Sequence, residues 1–281
     1  MCTKKSYKIP LRDIRPSELY LSCERLKGMD ERSSGPLPVR KIAGELFFTD
    51  GHHRAYTMWK NGEEEVEVYH DHDDLNWFHY LICVDWCREE GINHIGDLGE
   101  RNVSEEDFKT LWVGRCQKMH EDDEGKYLCV KEERDPDSKS HICETILRSL
   151  PQWFGIEKAI VDYVKGVREM PFVTAYVGSI PVGFVALKEH NEYTSELYVI
   201  GLVKELHGRG IGKQMMNSVH EKLVKEGKKY LTVKTLSDSN PDENYGRTRA
   251  FYRSVGFYPL EEFPTLWDEY NPCLLMIKVL G

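Results

Sequence analysis

The sequence predicts an α+β fold that is divided into two segments. Helical and strand-like patterns are intermixed along the 281 residues, without the strict strand–helix–strand order of a parallel α/β protein. The polar run His120-Glu-Asp-Asp-Glu-Gly-Lys126 separates segments of different character and is the best candidate for a linker. A hydrophobic fraction of 40% and a charged fraction of 30% exclude a collagen-like or wholly disordered chain. We therefore expect one domain over residues 1–120 and another over residues 127–281.

The net charge is confined to the first segment. Residues 1–125 hold 17 Lys or Arg and 26 Asp or Glu, and so carry all of the formal charge of −9. A duplex-DNA binder needs a positive face, so nucleic acid is not an expected partner. No apolar run reaches the ~18 residues of a membrane-spanning helix, and residues 1–7 lack the apolar stretch of a signal peptide. The eight Cys residues form no C-x-x-C pair, so we expect reduced thiols, a cytoplasmic protein and no membrane partner.

Local patterns predict each element of the first segment. The helix over 105–119 begins with Ser104 as its N-cap and Asp107 three residues on, a capping-box pattern. A hairpin is predicted around Ala43-Gly44, and Asp50 opens a turn that runs into a helix. The remaining elements are a short strand from Lys8, a helix over 18–26, the hairpin strands 37–42 and 45–49, an edge strand over 65–69, and a helix over 76–90.

Strands and helices also mix in the second segment. Apolar residues of 156–167 recur on one stripe, and strands 172–177 and 181–187 flank a turn at Gly178-Ser179. The other predicted elements are strands over 127–131, 196–203, 229–235 and 273–279, and helices over 141–150, 210–226 and 245–255.

A glycine-rich turn joins the strand over 196–203 to the following helix. Gly208, Gly210 and Gly212 let the backbone approach a ligand closely, and the N–H groups and dipole of a helix N-terminus favour a pyrophosphate. The spacing is neither Walker A nor the Rossmann G-x-G-x-x-G. A plain strand–helix connection is the alternative that this turn leaves open.

Three motifs in order make residues 127–280 resemble the GNAT superfamily of acyl-CoA-dependent N-acyltransferases. The run His207-Gly-Arg-Gly-Ile-Gly212 resembles the pyrophosphate loop Arg/Gln-x-x-Gly-x-Gly/Ala, with His207 at the first position. The run Thr248-Arg-Ala-Phe-Tyr-Arg-Ser-Val-Gly-Phe257 looks like A-x-x-F-Y-x-x-x-G-F, and Tyr245 stands where the family often has Asn. The tail over 260–276 resembles one bacterial subgroup. The resemblance implies a mixed, mostly antiparallel sheet flanked by helices, with acetyl-CoA as co-substrate.

The resemblance also implies roles for individual residues. Attack of an amine on a thioester needs a general base and a general acid, and Glu196 and Tyr252 occupy the family's positions for these groups. The alternatives are an exposed carboxylate at a strand start and a packed aromatic ring. Backbone N–H groups near Leu202 and Val203 would polarise the thioester carbonyl. The implied cofactor-binding residues are Leu202, Val203, His207, Gly208, Arg209, Gly210, Ile211, Gly212 and Lys213. Residues that could line the site of the acetyl acceptor, or equally pack in the core, are Trp153, Phe154, Tyr193 and Trp267.

The turn Asp50-Gly-His-His-Arg54 is a second candidate anion site. Arg54 can fork onto phosphate oxygens at the start of a helix. Residues 7–75 resemble the ParB/sulfiredoxin fold, whose G-x-x-R phosphate motif aligns with Gly51, His52, His53 and Arg54. Sulfiredoxins need Cys where His52 stands, and no helix-turn-helix follows, so neither of those activities is implied. A nucleotide or phosphate is the predicted ligand, and a structural cap is the alternative.

Two clusters have metal-ligand chemistry but do not predict a metal site. The run His70-Asp-His-Asp-Asp74 is acidic and His-rich, and His79, Cys83 and Cys87 share a helix face. Zinc could use such ligands. Cysteine is more often a small buried hydrophobe, and Asp-His runs are more often solvated turns, so we expect no metal.

The sequence therefore predicts an N-acetyltransferase that transfers the acetyl group of acetyl-CoA to a primary amine of a small molecule or protein. The net negative charge mildly favours a cationic amine. One alternative is a nucleotide-binding or nuclease-type protein that acts through Arg54 and senses acyl-CoA through its GNAT domain. A second alternative is a catalytically idle module with acyl-CoA as an allosteric ligand.

Overall fold

The computed structural model describes residues 5–29 and 35–281, which form two compact units. The first unit extends to Cys129 and includes Val177–Ile180, and the second comprises Val130–Tyr176 and Pro181–Gly281. The predicted linker over 120–126 belongs to the first unit. Residues 1–4 lie outside the described residues. They include Cys2 and most of the N-terminal run that was expected not to be a signal peptide. None of the helices within the described ranges is long and apolar enough to cross a membrane.

The first unit contains a four-stranded mixed sheet in the order β1-β5-β3-β4. Strand β3 is parallel to β5 and antiparallel to β4, and a separate parallel pair is formed by β2 and β6. Its strands are β1 (Ser6–Pro10), β2 (Leu21–Ser22), β3 (Leu37–Ile42), β4 (Glu45–Phe48), β5 (Glu65–His70) and β6 (Asn102–Val103). Its helices are α1 (Cys23–Lys27), α2 (His52–Lys60), α3 (Trp77–Glu89), α4 (Glu105–Phe108) and α5 (Gly114–Glu121).

Local chemistry explains which predictions for this unit hold. The hairpin of β3 and β4 is confirmed, and its turn residues Ala43 and Gly44 both have positive φ, as a tight two-residue hairpin turn requires. The cap at Ser104 is confirmed, because its hydroxyl accepts from the N–H of Asp107 at 3.1 Å. The predicted helix over 18–26 is wrong in its first half, because residues 21–22 pair with β6 and the helix begins only at Cys23.

The second unit is built on a seven-stranded sheet in the order β12-β13-β11-β10-β9-β8-β7. Strand β10 is antiparallel to β9 but parallel to β11, and β13 is antiparallel to both β11 and β12. The strands are β7 (Leu128–Glu132), β8 (Phe172–Val177), β9 (Ile180–Glu189), β10 (Thr194–Leu202), β11 (Tyr230–Leu236), β12 (Tyr258–Asp268) and β13 (Asn271–Val279). The helices are α6 (Pro136–Arg148), α7 (Glu157–Gly166), α8 (Ile211–Lys225) and α9 (Glu243–Ser254).

Helices cover both faces of this sheet at β10. A Cβ added to Gly201 would lie 2.8 Å from Cγ2 of Ile146 on α6, so α6 packs closely on that face. A Cβ added to Gly183 of β9 would lie 3.0 Å from the side chain of Leu202 on β10 and 3.1 Å from that of Met215 on α8. Helix α8 therefore packs on the other face. Strand β10 therefore lies between two helical layers that pack closely on it.

Candidate active site

The candidate site is a cavity that opens where two parallel strands separate. Strands β10 and β11 pair only as far as Leu197 and Val233. Directly after Leu197 the pairing of β10 with β9 shifts register, which marks a bulge and redirects β10. Beyond this point β10 follows β9 to Leu202, whereas β11 follows β13 to Leu236. The separation leaves a cavity of about 610 Å³ between the two strands.

The register of β10 identifies the backbone groups that face this cavity. The N–H of Val203 donates to the carbonyl of Val182 at 2.9 Å. Because hydrogen-bonded and non-bonded pairs alternate in an antiparallel ladder, the N–H groups of Ile200 and Leu202 point away from β9, towards the gap. The carbonyl of Leu202 accepts from Nε2 of His207 at 2.9 Å, which agrees with this orientation. The predicted free N–H is therefore wrong for Val203. The N–H groups that face the gap are those of Leu202, as predicted, and of Ile200.

The glycine-rich turn forms one wall of the cavity. Gly208 and Gly210 have φ values of +81° and +79°, and α8 begins directly after Gly210. No side chain within the described residues caps the first turn of α8, so its N–H groups are available to an anion. The predicted cofactor-binding residues that line the cavity are Leu202, His207, Gly208, Gly210, Ile211, Gly212 and Lys213. Arg209 is exposed and does not line it.

Trp153 contacts all three residues that depart from the motifs quoted above, which are His207, Tyr245 and Thr248. Its indole Nε1 donates to Oγ1 of Thr248 at 3.1 Å, and its carbonyl accepts from the hydroxyl of Tyr245 at 3.0 Å. Its ring packs edge-on against His207, with 5.7 Å between the centroids. Tyr245 and His207 thus help to hold the glycine-rich turn against α9. Sequence reasoning missed these contacts because the partners lie more than 50 residues from Trp153 along the chain.

The phenol of Tyr252 lies inside the cavity wall. The residue is 4% exposed, and no protein group within the described residues pairs with its hydroxyl. Burial raises the pKa of Tyr252 well above its usual range, and the neighbouring Tyr245 and Tyr163 add to the effect. The hydroxyl therefore keeps its proton at neutral pH and can donate it to a ligand.

Glu196 is held in an ion pair beside the cavity. Nζ of Lys234 lies 2.9 Å from both carboxylate oxygens, and Nε2 of His190 lies 2.6 Å from Oε2. Lys234 lines the cavity and Glu196 does not. A molecule in the cavity therefore meets the ammonium of Lys234 before it meets the predicted base.

Several aromatic side chains line the cavity. Trp153, Phe154 and Trp267 line it as predicted candidates, whereas Tyr193 does not and is 53% exposed. Two further lining residues, Tyr163 and Tyr198, were missed by sequence reasoning. Tyr163 lies 6.0 Å from Phe154 and 5.3 Å from Tyr198, measured between ring centroids. Tyr198 follows the last β10–β11 pair, a position that no motif marks.

The structure changes the predicted phosphate site of the first unit. His52 and His53 are buried, and Nε2 of each accepts a backbone N–H at 2.9 Å, from Ser17 and Ser22 respectively. Burial lowers the pKa of His52 to about 3 and also lowers the pKa of His53, so both rings are neutral. Their side chains are therefore structural and do not serve as phosphate ligands.

Of the predicted phosphate-binding residues, Arg54 remains a candidate, whereas the N–H of Gly51 is already paired. Gly51 has φ of +82°, and a Cβ there would lie 3.1 Å from the guanidinium of Arg54. The carboxylate of Asp50 accepts the N–H of Gly51 at 2.7 Å. The described residues contain no group of three His, Cys, Asp or Glu that could hold a metal ion.

Comparison with known proteins gives a family match in the C-terminal region. Residues 169–259 match the family model of the acetyltransferase (GNAT) domain. A GNAT-family acetyltransferase from Desulfovibrio desulfuricans is 15% identical, covering 55% of this chain and 99% of its own, with a TM-score of 0.48. Ard1 from Thermoplasma volcanium is 14% identical over 55% of this chain and 99% of its own, with a TM-score of 0.45. A GNAT acetyltransferase from Elizabethkingia anophelis with acetyl-CoA bound is 16% identical over the same shares, with a TM-score of 0.40. The comparison with curated proteins gave no match.

Proposed function

We propose, from the GNAT acetyltransferase domain that residues 169–259 match, that this protein transfers the acetyl group of acetyl-CoA to an amine. The observation that carries the proposal is the junction of two features. The gap between β10 and β11 opens at the uncapped N-terminus of α8, so one continuous cavity offers unpaired strand amides and an anion site. An elongated ligand with a phosphate end and an amide-bearing arm is complementary to this pair.

The charge of the cavity supports a polyanionic ligand. Lys204, Lys213 and Arg247 line it, and no Asp or Glu lines it within the described residues. Coenzyme A carries a pyrophosphate and a further phosphate. The first turn of α8 would receive the pyrophosphate, because its N–H groups and the helix dipole both favour negative charge there.

The free N–H groups of β10 would bind the reactive end of the co-substrate. The N–H groups of Ile200 and Leu202 face the gap and would hydrogen-bond the arm of the co-substrate and the carbonyl of its thioester. A donor placed at a carbonyl oxygen stabilises the negative charge that develops when an amine attacks. The ligand would thus occupy the place that a neighbouring strand would take beside this part of β10.

The side chains divide the proton transfers. The buried hydroxyl of Tyr252 protonates the thiolate that leaves, since it retains its proton and has no protein partner among the described residues. Glu196 accepts the proton of the attacking amine through a water molecule, because Lys234 lies between the carboxylate and the cavity. His190, at 2.6 Å from Glu196 and 36% exposed, then connects the carboxylate with solvent.

Two glycines of similar backbone conformation provide the test of cofactor binding. Gly210 and Gly227 precede and follow the same helix, with φ of +79° and +78°, and a Cβ at either position meets nothing within 4 Å. A Glu at position 210 would place a carboxylate where the pyrophosphate binds, whereas a Glu at position 227 would not. The two substitutions should therefore strain the fold equally.

The experiment is calorimetric titration with acetyl-CoA. We expect the wild-type protein and Gly227→Glu to bind and Gly210→Glu to lose binding. Wild-type protein that binds should also release free CoA when an amine acceptor is supplied. Failure of the wild-type protein to bind would contradict the proposal, and binding without transfer to any amine would favour an idle acyl-CoA-binding module.

A further inference from the structure

The inner end of the cavity is rich in hydrogen-bond donors. We use "inner end" for Tyr163, Tyr198 and Lys234, which gather beside the last β10–β11 pair. Tyr198 directly follows that pair on β10, Lys234 directly follows it on β11, and Tyr163 packs on Tyr198 at 5.3 Å. All three residues line the cavity.

These donors are incompletely used by the protein. The ammonium of Lys234 has three N–H groups, and its only partners among the described residues are the two oxygens of Glu196. No partner of the hydroxyls of Tyr163 and Tyr198 occurs within the described ranges. Burial raises the pKa of Tyr163 to about 12 and also raises the pKa of Tyr198, so both hydroxyls carry protons at neutral pH.

Two acidic residues lie near the inner end, and neither of them lines the cavity. Glu196 is only 8% exposed and already contacts Lys234 and His190. Asp162 is exposed, and it helps to raise the pKa of Tyr198. Among the residues that the structure describes, four Lys or Arg and no Asp or Glu line the cavity. A polycationic acetyl acceptor would be repelled here, which is contrary to the cationic amine suggested by the net charge of the chain.

We infer that the acetyl acceptor is an amine that carries a carboxylate close to the amino group, as an α-amino acid does, and that Lys234 determines this specificity. The inference rests on the proposed function. The carboxylate would accept a hydrogen bond from Lys234, and the tyrosines that line the same end would supply further donors. Lys234 then lies between two carboxylates, that of Glu196 and that of the substrate. The amino group, two bonds from the bound carboxylate, is left to face the thioester.

The aromatic rings at the inner end favour an apolar side chain on the acceptor. Phe154 packs edge-on against Tyr163 and lines the same part of the cavity, so an apolar side chain on the substrate finds an aromatic wall. Aromatic side chains are therefore suitable substituents for the first acceptors to be tested.

A matched set of three amines tests the inference. Phenylalanine, phenylalaninamide and phenethylamine share one ring and differ only in the carboxylate. We expect kcat/KM for phenylalanine to exceed that for each of the other two by about tenfold or more, the size of one charge-assisted hydrogen bond. The difference should appear mainly in KM, because the carboxylate contact is present before and during reaction.

Variants of Lys234 distinguish specificity from folding. Lys234→Met should bring the ratio of kcat/KM between phenylalanine and phenethylamine close to one, and Lys234→Arg should restore part of the preference. Lys229→Met is the matched control, because Lys229 is exposed, precedes β11 and does not line the cavity. Acetyl-CoA titration of each variant shows whether the cofactor site is intact.

The outcomes separate this inference from the proposed function. A wild-type preference for the two amines without a carboxylate, equal use of all three, or a preference that survives in Lys234→Met would overturn the inference. Acetyl-CoA binding without turnover of any of the three would also overturn it. Absence of acetyl-CoA binding would instead contradict the proposed function itself.

Discussion

Substitution of Glu18 by Gln should change how the stability of the first unit depends on pH. The carboxyl oxygens of Glu18 lie 3.6 Å from Nδ1 of His52 and 4.0 Å from Nδ1 of His53, and Oε2 is buried without a hydrogen-bond partner among the described residues. Burial, with the nearby Asp50 adding to it and Arg25 opposing it, raises the pKa of Glu18 to about 8. The folded protein therefore retains a proton that the unfolded chain releases at a much lower pH.

The sign follows from proton linkage. The pKa of Glu18 is 4.5 in the unfolded reference and about 8 in the folded protein, so the folded state binds more protons across this range. The free energy of unfolding then falls as pH rises, by up to about 1.4 kcal/mol per pH unit. His52 acts in the opposite direction, because its lowered pKa of about 3 removes stability only as pH falls below about 6.5. Between pH 6.5 and 8 the contribution of the histidines changes little, and it is common to the wild type and Glu18→Gln, so the difference between the two proteins reports Glu18.

The assay is urea-induced unfolding at pH 6.5, 7.25 and 8. Glu18→Gln removes the titrating group but keeps its size, so its stability relative to the wild type should increase by about 1.6 kcal/mol across the window. Glu106→Gln is the control, because Glu106 is exposed on α4. A difference between Glu18→Gln and the wild type that stays constant from pH 6.5 to 8 would refute the reasoning.

Three further predictions concern packing, catalysis and the first unit. Gly201→Ala should lower the free energy of unfolding by about 1–3 kcal/mol, because the new Cβ would lie 2.8 Å from Ile146, and thermal denaturation measures the loss. Tyr252→Phe should lower kcat about 100-fold with little change in acetyl-CoA affinity. Tyr258→Phe is the control and should leave kcat unchanged, because Tyr258 is 70% exposed. Equal kcat values for Tyr252→Phe and the wild type would exclude the acid role. Arg54→Ala should abolish calorimetric binding of inorganic phosphate by the first unit, and unchanged binding would refute the predicted phosphate site.

Local signals in the sequence were sufficient to predict the turns and helix starts that depend on only a few residues. The turn at Ala43-Gly44 and the start of α8 after Gly210 follow from backbone preferences of two or three residues. Helix α6 shows the limit of this reasoning. Its predicted start at residue 141 is five residues late, because the cap at Asp135, which accepts the N–H of Ser138 at 2.7 Å, was not recognised.

Strand β12 was missed because it carries no burial pattern. All but one of its residues are exposed, so apolar and polar residues have no reason to alternate along it. Its pairing with β13 is what makes it a strand. Tertiary partners of this kind cannot be read from a local window.

The environment of the predicted base depends on residues that are distant in sequence. Glu196 and Lys234 are 38 residues apart and meet because β10 and β11 are neighbours in the sheet. The sequence marks Glu196 by its distance from the glycine-rich turn, but nothing marks its partner. The same is true of Trp153, whose contacts with Tyr245 and Thr248 span more than 90 residues.

Amide hydrogen exchange with and without acetyl-CoA tests the central claim most directly, because that claim assigns the ligand to named backbone N–H groups. The amides of Ile200 and Leu202 lack a strand partner, and those of residues 208–213 lie at the uncapped start of α8. We predict that acetyl-CoA slows exchange at these positions and leaves residues 51–54 unchanged. Unchanged exchange at both β10 and the start of α8, or slowing confined to residues 51–54, would contradict the assignment of the cavity as the acetyl-CoA site.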